Sequence, residues 1–267
     1  MITSRQNPLI QRARAASKGA SQDSIFIEGL RLCEEAARSN LACEEVLYTE
    51  RFAADERGAR LLAELRRFNP RFQIVSEELF ASLCDTKTPQ GIVLLARRRA
   101  TDRATFEKSL RQNALVVVLH RINNPANAGA MLRVAEAAGA TGVVATAGTT
   151  DLLSPRALRG AMGSSFRLPL WTGADFAEVV AWCGARGIRT VSADLAAQQS
   201  HTDLVWTEAY AVLMGAEAGG LADEEARVTD ERIRIPMQPP VESLNVAVAL
   251  AVILYEAARQ RAATARE

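Results

Sequence analysis

The stretch from residue 115 to residue 133 decides the fold, and it reads LVVVLHRINNPANAGAMLR. Its first five residues, Leu115–Leu119, are all apolar and rich in β-branched side chains, which predicts a strand buried on both faces. A polar loop follows, and a helix then begins near Asn127, where small apolar residues recur at helical spacing. A buried strand that leads directly into a helix is typical of an α/β protein with a mostly parallel sheet.

The rest of the C-terminal half repeats this alternation of strand and helix. We expect further strands at 142–145, 188–192, 210–214 and 233–235, and helices at 127–138, 155–161, 175–185 and from about 243 to 261. Ligands of a parallel sheet bind beyond the carboxyl ends of its strands. Three polar loops occupy that position, after the strands that end at Leu119, Met214 and Ile235. All candidate chemistry of the chain lies in these loops.

The N-terminal half predicts a smaller α/β layer. We expect helices at 5–17, 29–38 and 58–68, and strands at 45–49, 72–75 and 91–95. A basic run that begins at Arg97 separates this half from the next. The expected organisation is a domain at 1–100, a linker at 101–113 and a second domain at 114–267.

Composition places the chain among globular proteins, with 48% hydrophobic and 24% charged residues. The longest apolar run, Val246 to Leu254, is too short to span a bilayer, and the first residues are too polar for a signal peptide. The four cysteines form no CxxC pair, and there are only two histidines. We therefore expect a cytoplasmic protein that contacts no membrane, binds no metal and has no disulfide framework.

The net charge is only +1, but the basic residues are unevenly spread. The first 22 residues contain no acid and carry Arg5, Arg12, Arg14 and Lys18. A second run faces only two acids and carries Arg97, Arg98, Arg99, Arg103, Lys108 and Arg111. Local basic patches on a neutral protein fit a nucleic-acid partner bound at one surface. Solvated arginine-rich helices are an equally good interpretation of the charge alone.

Each of the three loops also permits a purely structural interpretation. In the first loop, Asn127 is well placed to cap the helix, and Arg133 then lies on the surface of that helix. This loop lacks the GxGxxG pattern of a dinucleotide-binding site. The second loop has three glycines within 215–220, which indicates tight turning or close backbone approach to a ligand. Glu217 in this turn can accept backbone hydrogen bonds. In the third loop, prolines hold the backbone in an extended conformation, and Ser243 or a neighbour then caps the last helix.

Together, the three loops resemble the SpoU/TrmH branch of the SPOUT RNA methyltransferases. The matching motifs are Asn127-x-Gly129-x-x-x-Arg133, Gly215-Ala216-Glu217-x-x-Gly220, and Ile235-Pro236-Met237 followed by Ser243-Leu244-Asn245. The likeness spans roughly residues 114–260, and residues 2–8 and 26–29 are similar to the family's substrate-binding domain. The chain departs from the family at Ala218 and Pro239, where glycine is common.

The resemblance implies a fold, a cofactor and an assembly. The expected fold is a C-terminal α/β domain with a trefoil knot and a mostly parallel sheet, preceded by a smaller ribosomal-protein-like α/β domain. The methyl donor S-adenosylmethionine would lie in the knot against Gly215, Ile235 and Leu244, with Thr146 as a weaker candidate contact. Members of the family form homodimers through the knotted domain, which agrees with the apolar last helix.

The resemblance also implies a reaction, the methylation of a ribose 2′-hydroxyl in RNA. Similar enzymes assign the chief catalytic role to the arginine of the first motif, here Arg133. A guanidinium holds its proton tightly, so we favour an electrostatic clamp and leave the general base open. Other residues would orient Arg133 and the ribose or shape the loops, and these are Asn127, Glu217, Ser243 and Asn245.

The expected partner is RNA, with ribosomal RNA favoured over transfer RNA. The RNA phosphates would contact the basic N-terminal residues Arg5, Arg12, Arg14 and Lys18, which predicts salt-sensitive affinity. The main alternative is a catalytically inactive RNA-binding protein that retains the fold. A nicotinamide-dependent oxidoreductase is disfavoured, because its glycine fingerprint and ribose-binding acid are both missing.

Overall fold

The computed structural model describes residues 1–39, 41–86, 88–110, 113–217 and 219–264. The chain divides into two compact units. The first comprises Met1–Arg99 and Asp151–Arg167, and the second comprises Ala100–Thr150 and Leu168–Glu267. In the described part of the chain, no helix is both long and apolar enough to cross a membrane.

The first unit contains a four-stranded sheet in the order β1-β4-β2-β3. Its strands are β1 (Ser24–Glu28), β2 (Cys43–Tyr48), β3 (Arg71–Ile74) and β4 (Ile92–Arg97). Only β2 and β3 pair in parallel, and β4 is antiparallel to both of its neighbours. The helices of this unit that precede residue 100 are α1 (Pro8–Ser17), α2 (Leu30–Arg38), α3 (Glu50–Ala54), α4 (Glu56–Leu65) and α5 (Glu77–Ala81). The strand β1 is one that we did not expect from the sequence.

Helix α1 closes one side of the core of this unit. It buries Ile10, Ala13 and Ala16, which are spaced three residues apart, against Phe26 and Leu47 of the sheet. The helix begins at Pro8 rather than at the expected residue 5. Asn7 caps it by accepting a hydrogen bond from the backbone N–H of Leu9, and proline suits the first helical position because its missing N–H would have no partner there.

The second unit contains a seven-stranded sheet in the order β7-β6-β5-β10-β8-β11-β9, and all its pairings are parallel. The strands are β5 (Leu115–Leu119), β6 (Gly142–Thr146), β7 (Leu170–Ala174), β8 (Arg189–Ala193), β9 (Gln199–Ser200), β10 (Tyr210–Met214) and β11 (Glu231–Arg234). The helices are α6 (Arg103–Ser109), α7 (Pro125–Ala137), α10 (Phe176–Ala185), α11 (Asp223–Arg227) and α12 (Val246–Thr264). The expected α/β class with a mostly parallel sheet is confirmed. The trefoil knot in the C-terminal domain stays a prediction that rests on the family resemblance.

The strands that follow β5 in the sequence are placed first on one side of β5 in the sheet and then on the other side. The chain continues from β5 through β6 to β7 on one side, and it later returns with β10 on the other side. The carboxyl ends of strands at such a switch point form a crevice that binds ligands. The loops after Leu119 and Met214 leave the sheet at this point, because β5 and β10 are paired in register up to these two residues.

Two segments differ from the expected domain boundaries. The segment expected as a linker carries α6, whose Phe106 is buried in the core of the second unit. Residues 151–167 carry α8 (Pro155–Ala161) and α9 (Ser164–Arg167) and belong to the first unit. There Arg159 lies 3.6 Å from the carboxylate of Glu28. Arg111 lies outside the described residues.

The start of α7 corrects one prediction. Asn124, not Asn127, caps this helix, because the Oδ1 atom of Asn124 accepts a hydrogen bond from the N–H of Ala126 at 2.9 Å. Pro125 then takes the first helical position, as Pro8 does in α1. Asn127 therefore lies within the first turn, and its side chain is available for other contacts.

Candidate active site

A cavity of about 390 Å³ lies in the second unit, beyond the carboxyl ends of β8, β10 and β11. Its volume falls in the range of about 300–1,000 Å³ that is usual for small-molecule sites. The second and third loops supply most of its lining, including Gly215, Glu217, Ile235, Ser243 and Leu244. These five residues are therefore brought together as the sequence predicts, although the motifs are separated along the chain.

In the glycine-containing turn of the second loop, the backbone at Gly215 lies close to the backbone at Gly220 and Leu221. A Cβ atom at Gly215 would lie 2.1 Å from the carbonyl carbon of Gly220 and 2.3 Å from the nitrogen of Leu221. The N–H of Gly220 donates to the carbonyl of Ala216 at 3.0 Å, and Gly220 has a φ of +69°. One wall of the cavity is consequently main chain, which can approach a flat ligand more closely than side chains allow. Ala218, the departure in this turn, lies outside the described residues.

A chain of hydrogen bonds joins the first loop to the other two. Glu217 Oε1 accepts from the backbone N–H of Asn124 at 3.2 Å and from Asn127 Nδ2 at 3.0 Å. Asn127 Oδ1 in turn accepts from Asn245 Nδ2 at 3.2 Å. The Oδ1 atom of Asn245 accepts from the N–H of Ala247 at 2.9 Å and so caps α12. The three loops are thus fastened to each other through Glu217, Asn127 and Asn245.

Arg133 is exposed on α7, six residues after Asn127. It makes no hydrogen bond or ion pair with any residue that the structure describes, and it is not among the residues that line the cavity. An unpaired guanidinium keeps its five N–H donors for a ligand. The helix that carries Arg133 packs against α12, which begins at the third loop.

Thr146 is buried at the end of β6 and does not line the cavity. It belongs to a hydrogen-bonded network that sequence reasoning missed. His120 Nδ1 lies 2.9 Å from Thr146 Oγ1, and His120 Nε2 lies 3.1 Å from Glu225 Oε1. A carboxylate can only accept, so Nε2 carries the proton of neutral His120, and Nδ1 accepts from the threonine hydroxyl.

This network supports the wall of the cavity that α11 forms. Glu225 also accepts from the N–H of Ala222 at 3.0 Å and pairs with Arg121 at 3.0 Å. Asp223 and Ala226, on either side of Glu225, line the cavity. His120 therefore helps to position α11, which lines the cavity. His120 itself does not line the cavity. The only sequence signal for this role is its position directly after β5.

The buried state of His120 predicts a pH-dependent stability. Burial lowers the pKa of His120, Arg121 lowers it further, and Glu225 only partly opposes this. The unfolded chain therefore binds the proton more readily, and stability is lost as the pH falls from the ordinary histidine pKa of about 6.5 towards the lower value of the folded state. Urea unfolding between about pH 7.5 and 5 should show a shallower loss of stability in His120→Gln than in the wild type.

The quantity that decides is the slope of the unfolding free energy against pH, compared between the two proteins. Equal slopes in His120→Gln and the wild type would contradict the assignment to His120.

The four basic residues expected to contact RNA differ in their surroundings. Arg5 and Lys18 are exposed, and neither pairs with any described residue. Arg12 pairs with Glu44 and donates to Ser24, and Arg14 donates to Ser82 at 3.3 Å. Arg5 and Lys18 consequently have their charges available for phosphates, whereas the charge of Arg12 is largely neutralised by its neighbours.

The comparison with known protein families covers both halves of the chain. Residues 114–255 match the SpoU rRNA Methylase family. Residues 26–101 match a family described as RNA 2′-O ribose methyltransferase substrate binding. The two matches do not overlap, and the substrate-binding match precedes the methylase match along the chain.

Similar proteins extend over nearly the whole chain. An uncharacterised tRNA/rRNA methyltransferase of Synechocystis is 31% identical over 97% of this chain and 94% of its own length. A 23S rRNA (guanosine(2553)-2′-O)-methyltransferase of Bacillus subtilis is 30% identical over 87% of this chain and 88% of its own. The crystal structure of the SpoU methyltransferase AviRb from Streptomyces viridochromogenes with the cofactor AdoMet superimposes with a TM-score of 0.86, at 26% identity, over 96% of this chain and 99% of that one.

Proposed function

The chain belongs to the SpoU rRNA methylase family, and on that premise we propose that its substrate is ribosomal RNA rather than transfer RNA. It is an S-adenosylmethionine-dependent enzyme that methylates a ribose 2′-hydroxyl in RNA. The observation that carries the choice of RNA is the similarity, over 87% of this chain, to the Bacillus subtilis enzyme, which is named for 23S rRNA. A ribosomal substrate would place the protein in the cytoplasm.

The cavity of the second unit fits S-adenosylmethionine. Its main-chain wall at Gly215 admits a flat adenine, and the backbone and apolar side chains of Ile235 and Leu244 complete the lining. When bound, the cofactor supplies a methyl group on a positively charged sulfur. Thr146 stays a weaker candidate, because it is connected to the cavity only through His120 and Glu225.

The unpaired Arg133 is suited to hold the ribose. Its guanidinium cannot serve readily as a base, because it keeps its proton at neutral pH. It can instead donate hydrogen bonds to the ribose oxygen or to the adjacent phosphate and stabilise the negative charge that develops on the oxygen. Asn127, Glu217 and Asn245 hold the three loops in one arrangement, and Ser243 lines the cavity beside them.

The alternative of an inactive RNA-binding protein is set aside. The residues of all three motifs are retained, and the structure joins Glu217, Asn127 and Asn245 by hydrogen bonds. A binding module would have no need of a cavity that the second and third loops line. The RNA would also contact the first unit, where Arg5 and Lys18 are free and Arg12 and Arg14 are engaged.

The test of the proposed function is a direct map of ribose methylation. Purified protein, ribosomal RNA, transfer RNA and S-adenosylmethionine are incubated together, and 2′-O-methylated positions are located by their resistance to alkaline cleavage. We expect one or a few new positions in ribosomal RNA and none in transfer RNA. Modification of transfer RNA alone would overturn the choice of substrate.

We also propose that the enzyme acts as a homodimer through the second unit. Val248 and Tyr255 of α12 are 49% and 56% exposed, and they lie on one helix face because they are seven residues apart. Val241 and Leu244, just before the helix, are exposed as well. Apolar side chains grouped in this way are typical of an interface between subunits.

The dimer predicts a clear effect of Val248→Glu. A charge at the centre of an apolar interface would remain desolvated and unpaired, so the variant should be a monomer in light scattering coupled to gel filtration. The matched control is Val228→Glu, because Val228 is somewhat more exposed, at 56% against 49% for Val248, and lies outside α12. A dimeric Val248→Glu protein, or a monomeric wild type, would contradict this assembly.

A further inference from the structure

A groove of about 450 Å³ lies in the first unit, between the start of α1 and the edge strand β3. Ile2 and Leu9 supply apolar lining, and the polar lining comes from Arg12, Glu45, Arg71 and Gln73. Strand β3 is the edge strand of the sheet, and Ile2 forms a parallel bridge with Val75 just beyond its end. The methyltransferase site uses none of these residues except Arg12, which was considered only as a phosphate contact.

Glu45 is the unusual residue of this groove. Its side chain is 1% exposed, and it lies on β2 directly opposite Arg71 of β3. Its Oε1 atom accepts from Arg71 and lies 4.0 Å from Arg12 Nη1. Its Oε2 atom is buried and has no hydrogen-bond partner among the described residues. A buried carboxylate oxygen without a donor is costly, which indicates a donor that a ligand supplies.

The chemistry of the lining restricts that ligand. It must bring N–H donors to Glu45, and it must offer acceptors to Arg12 and Arg71. Guanine carries two adjacent donors, at N1 and at the exocyclic amine, and two acceptors, at O6 and N7, which arginine recognises well. Uracil has a single N–H between two carbonyl oxygens, and these oxygens would face the carboxylate. Gln73, which has no described partner, adds both a donor and an acceptor.

We propose that this groove binds a guanine base of the substrate RNA, and this rests on the proposed function. Proteins that read RNA sequence usually take bases that are splayed out of a helix and contact their edges and faces. Here Glu45, Arg71 and Gln73 read the edge, and Ile2 and Leu9 contact the face.

The test uses the full-length protein with saturating S-adenosylhomocysteine, so that the cavity of the second unit is occupied. Affinities for the 5′-monophosphates of guanosine, adenosine, cytidine and uridine are measured by saturation-transfer NMR. We expect guanosine monophosphate to bind at least about fivefold more tightly than uridine monophosphate. Glu45→Gln, Gln73→Ala and Arg71→Ala should each lose about tenfold in affinity for it.

Two matched controls separate recognition from surface charge and folding. Gln11→Ala makes the same change as Gln73→Ala at an exposed position of α1, and Arg51→Ala removes an arginine as exposed as Arg71. Both should bind guanosine monophosphate as the wild type does. Equal affinity for the guanine and uracil nucleotides overturns the proposal, as does equal loss in Gln73→Ala and Gln11→Ala. Preferential binding of free arginine would identify a guanidinium site instead and also overturns it.

A kinetic measurement connects the groove to the reaction. Gln73→Ala should raise the KM for RNA about tenfold and leave kcat and the KM for S-adenosylmethionine unchanged. An unchanged KM for RNA overturns the proposal. If the wild type methylates no ribosomal RNA, the proposed function fails, while the nucleotide affinities still decide what the groove binds.

Discussion

Arg133→Ala should lower the rate of methyl transfer by at least about a thousandfold, because the variant would lack the group that we propose stabilises charge on the ribose oxygen. Arg133 is exposed, and its removal breaks no hydrogen bond or ion pair among the described residues. It does not line the cavity, and the dissociation constant of S-adenosylmethionine should therefore stay within about threefold of the wild-type value. Single-turnover methylation and cofactor calorimetry on the same preparation measure the two quantities.

Two variants complete this experiment. Arg133→Lys keeps the positive charge but loses the planar pair of donors, so it should recover only part of the rate. Arg60→Ala removes an arginine that is 68% exposed in the first unit and should leave both quantities unchanged. A normal rate in Arg133→Ala would show that the arginine of the first motif has no chemical role in this chain.

The strands of the second unit could be predicted closely because they are buried on both faces. Leu115–Leu119 and Tyr210–Met214 end where their apolar runs do and begin one residue after the runs start, since these strands lie inside the sheet. Edge strands and short strands were harder to predict from the sequence. The two-residue β9 and the edge strand β7 were missed, because neither carries a continuous β-branched run.

The start of α7 shows how a local pattern can mislead. The loop offers three amides, Asn123, Asn124 and Asn127, each of which is a good cap by type. Pro125 decides between them, because proline favours the first helical position and so selects the residue before it. The motif residue Asn127 thereby gains a role that its own sequence neighbours do not indicate, the hydrogen bond to Glu217.

Contacts between distant parts of the chain explain what sequence reasoning could not supply. His120 and Glu225 are 105 residues apart, and neither residue belongs to a motif. Residues 151–167 lie between two strands of the second unit in the sequence, yet they pack with the first. Such partners follow from the tertiary arrangement and leave no periodic signal. By contrast, the loops at the ends of buried strands were predictable, because their position follows from the sheet itself.

Gly215→Ala should abolish cofactor binding more completely than any side-chain truncation in the cavity. The new methyl group would lie 2.1 Å from the carbonyl carbon of Gly220 and 2.3 Å from the nitrogen of Leu221. Both are backbone atoms, so the whole turn must move and the wall of the cavity must move with it. We expect the affinity for S-adenosylmethionine, measured by calorimetry, to fall by at least about a hundredfold, which corresponds to about 2.7 kcal/mol.

Gly184→Ala is the matched control, because it adds the same methyl group inside α10, where no described atom outside the adjoining residues and the helix's own backbone lies within 4 Å. Alanine has the higher helix propensity, so this variant should be as stable as the wild type or more stable by up to about 1 kcal/mol, with unchanged cofactor affinity. Thermal unfolding of both variants separates a local change of the turn from loss of the fold. If Gly215→Ala bound the cofactor normally, the main chain at this turn would not form the wall against which the cofactor lies.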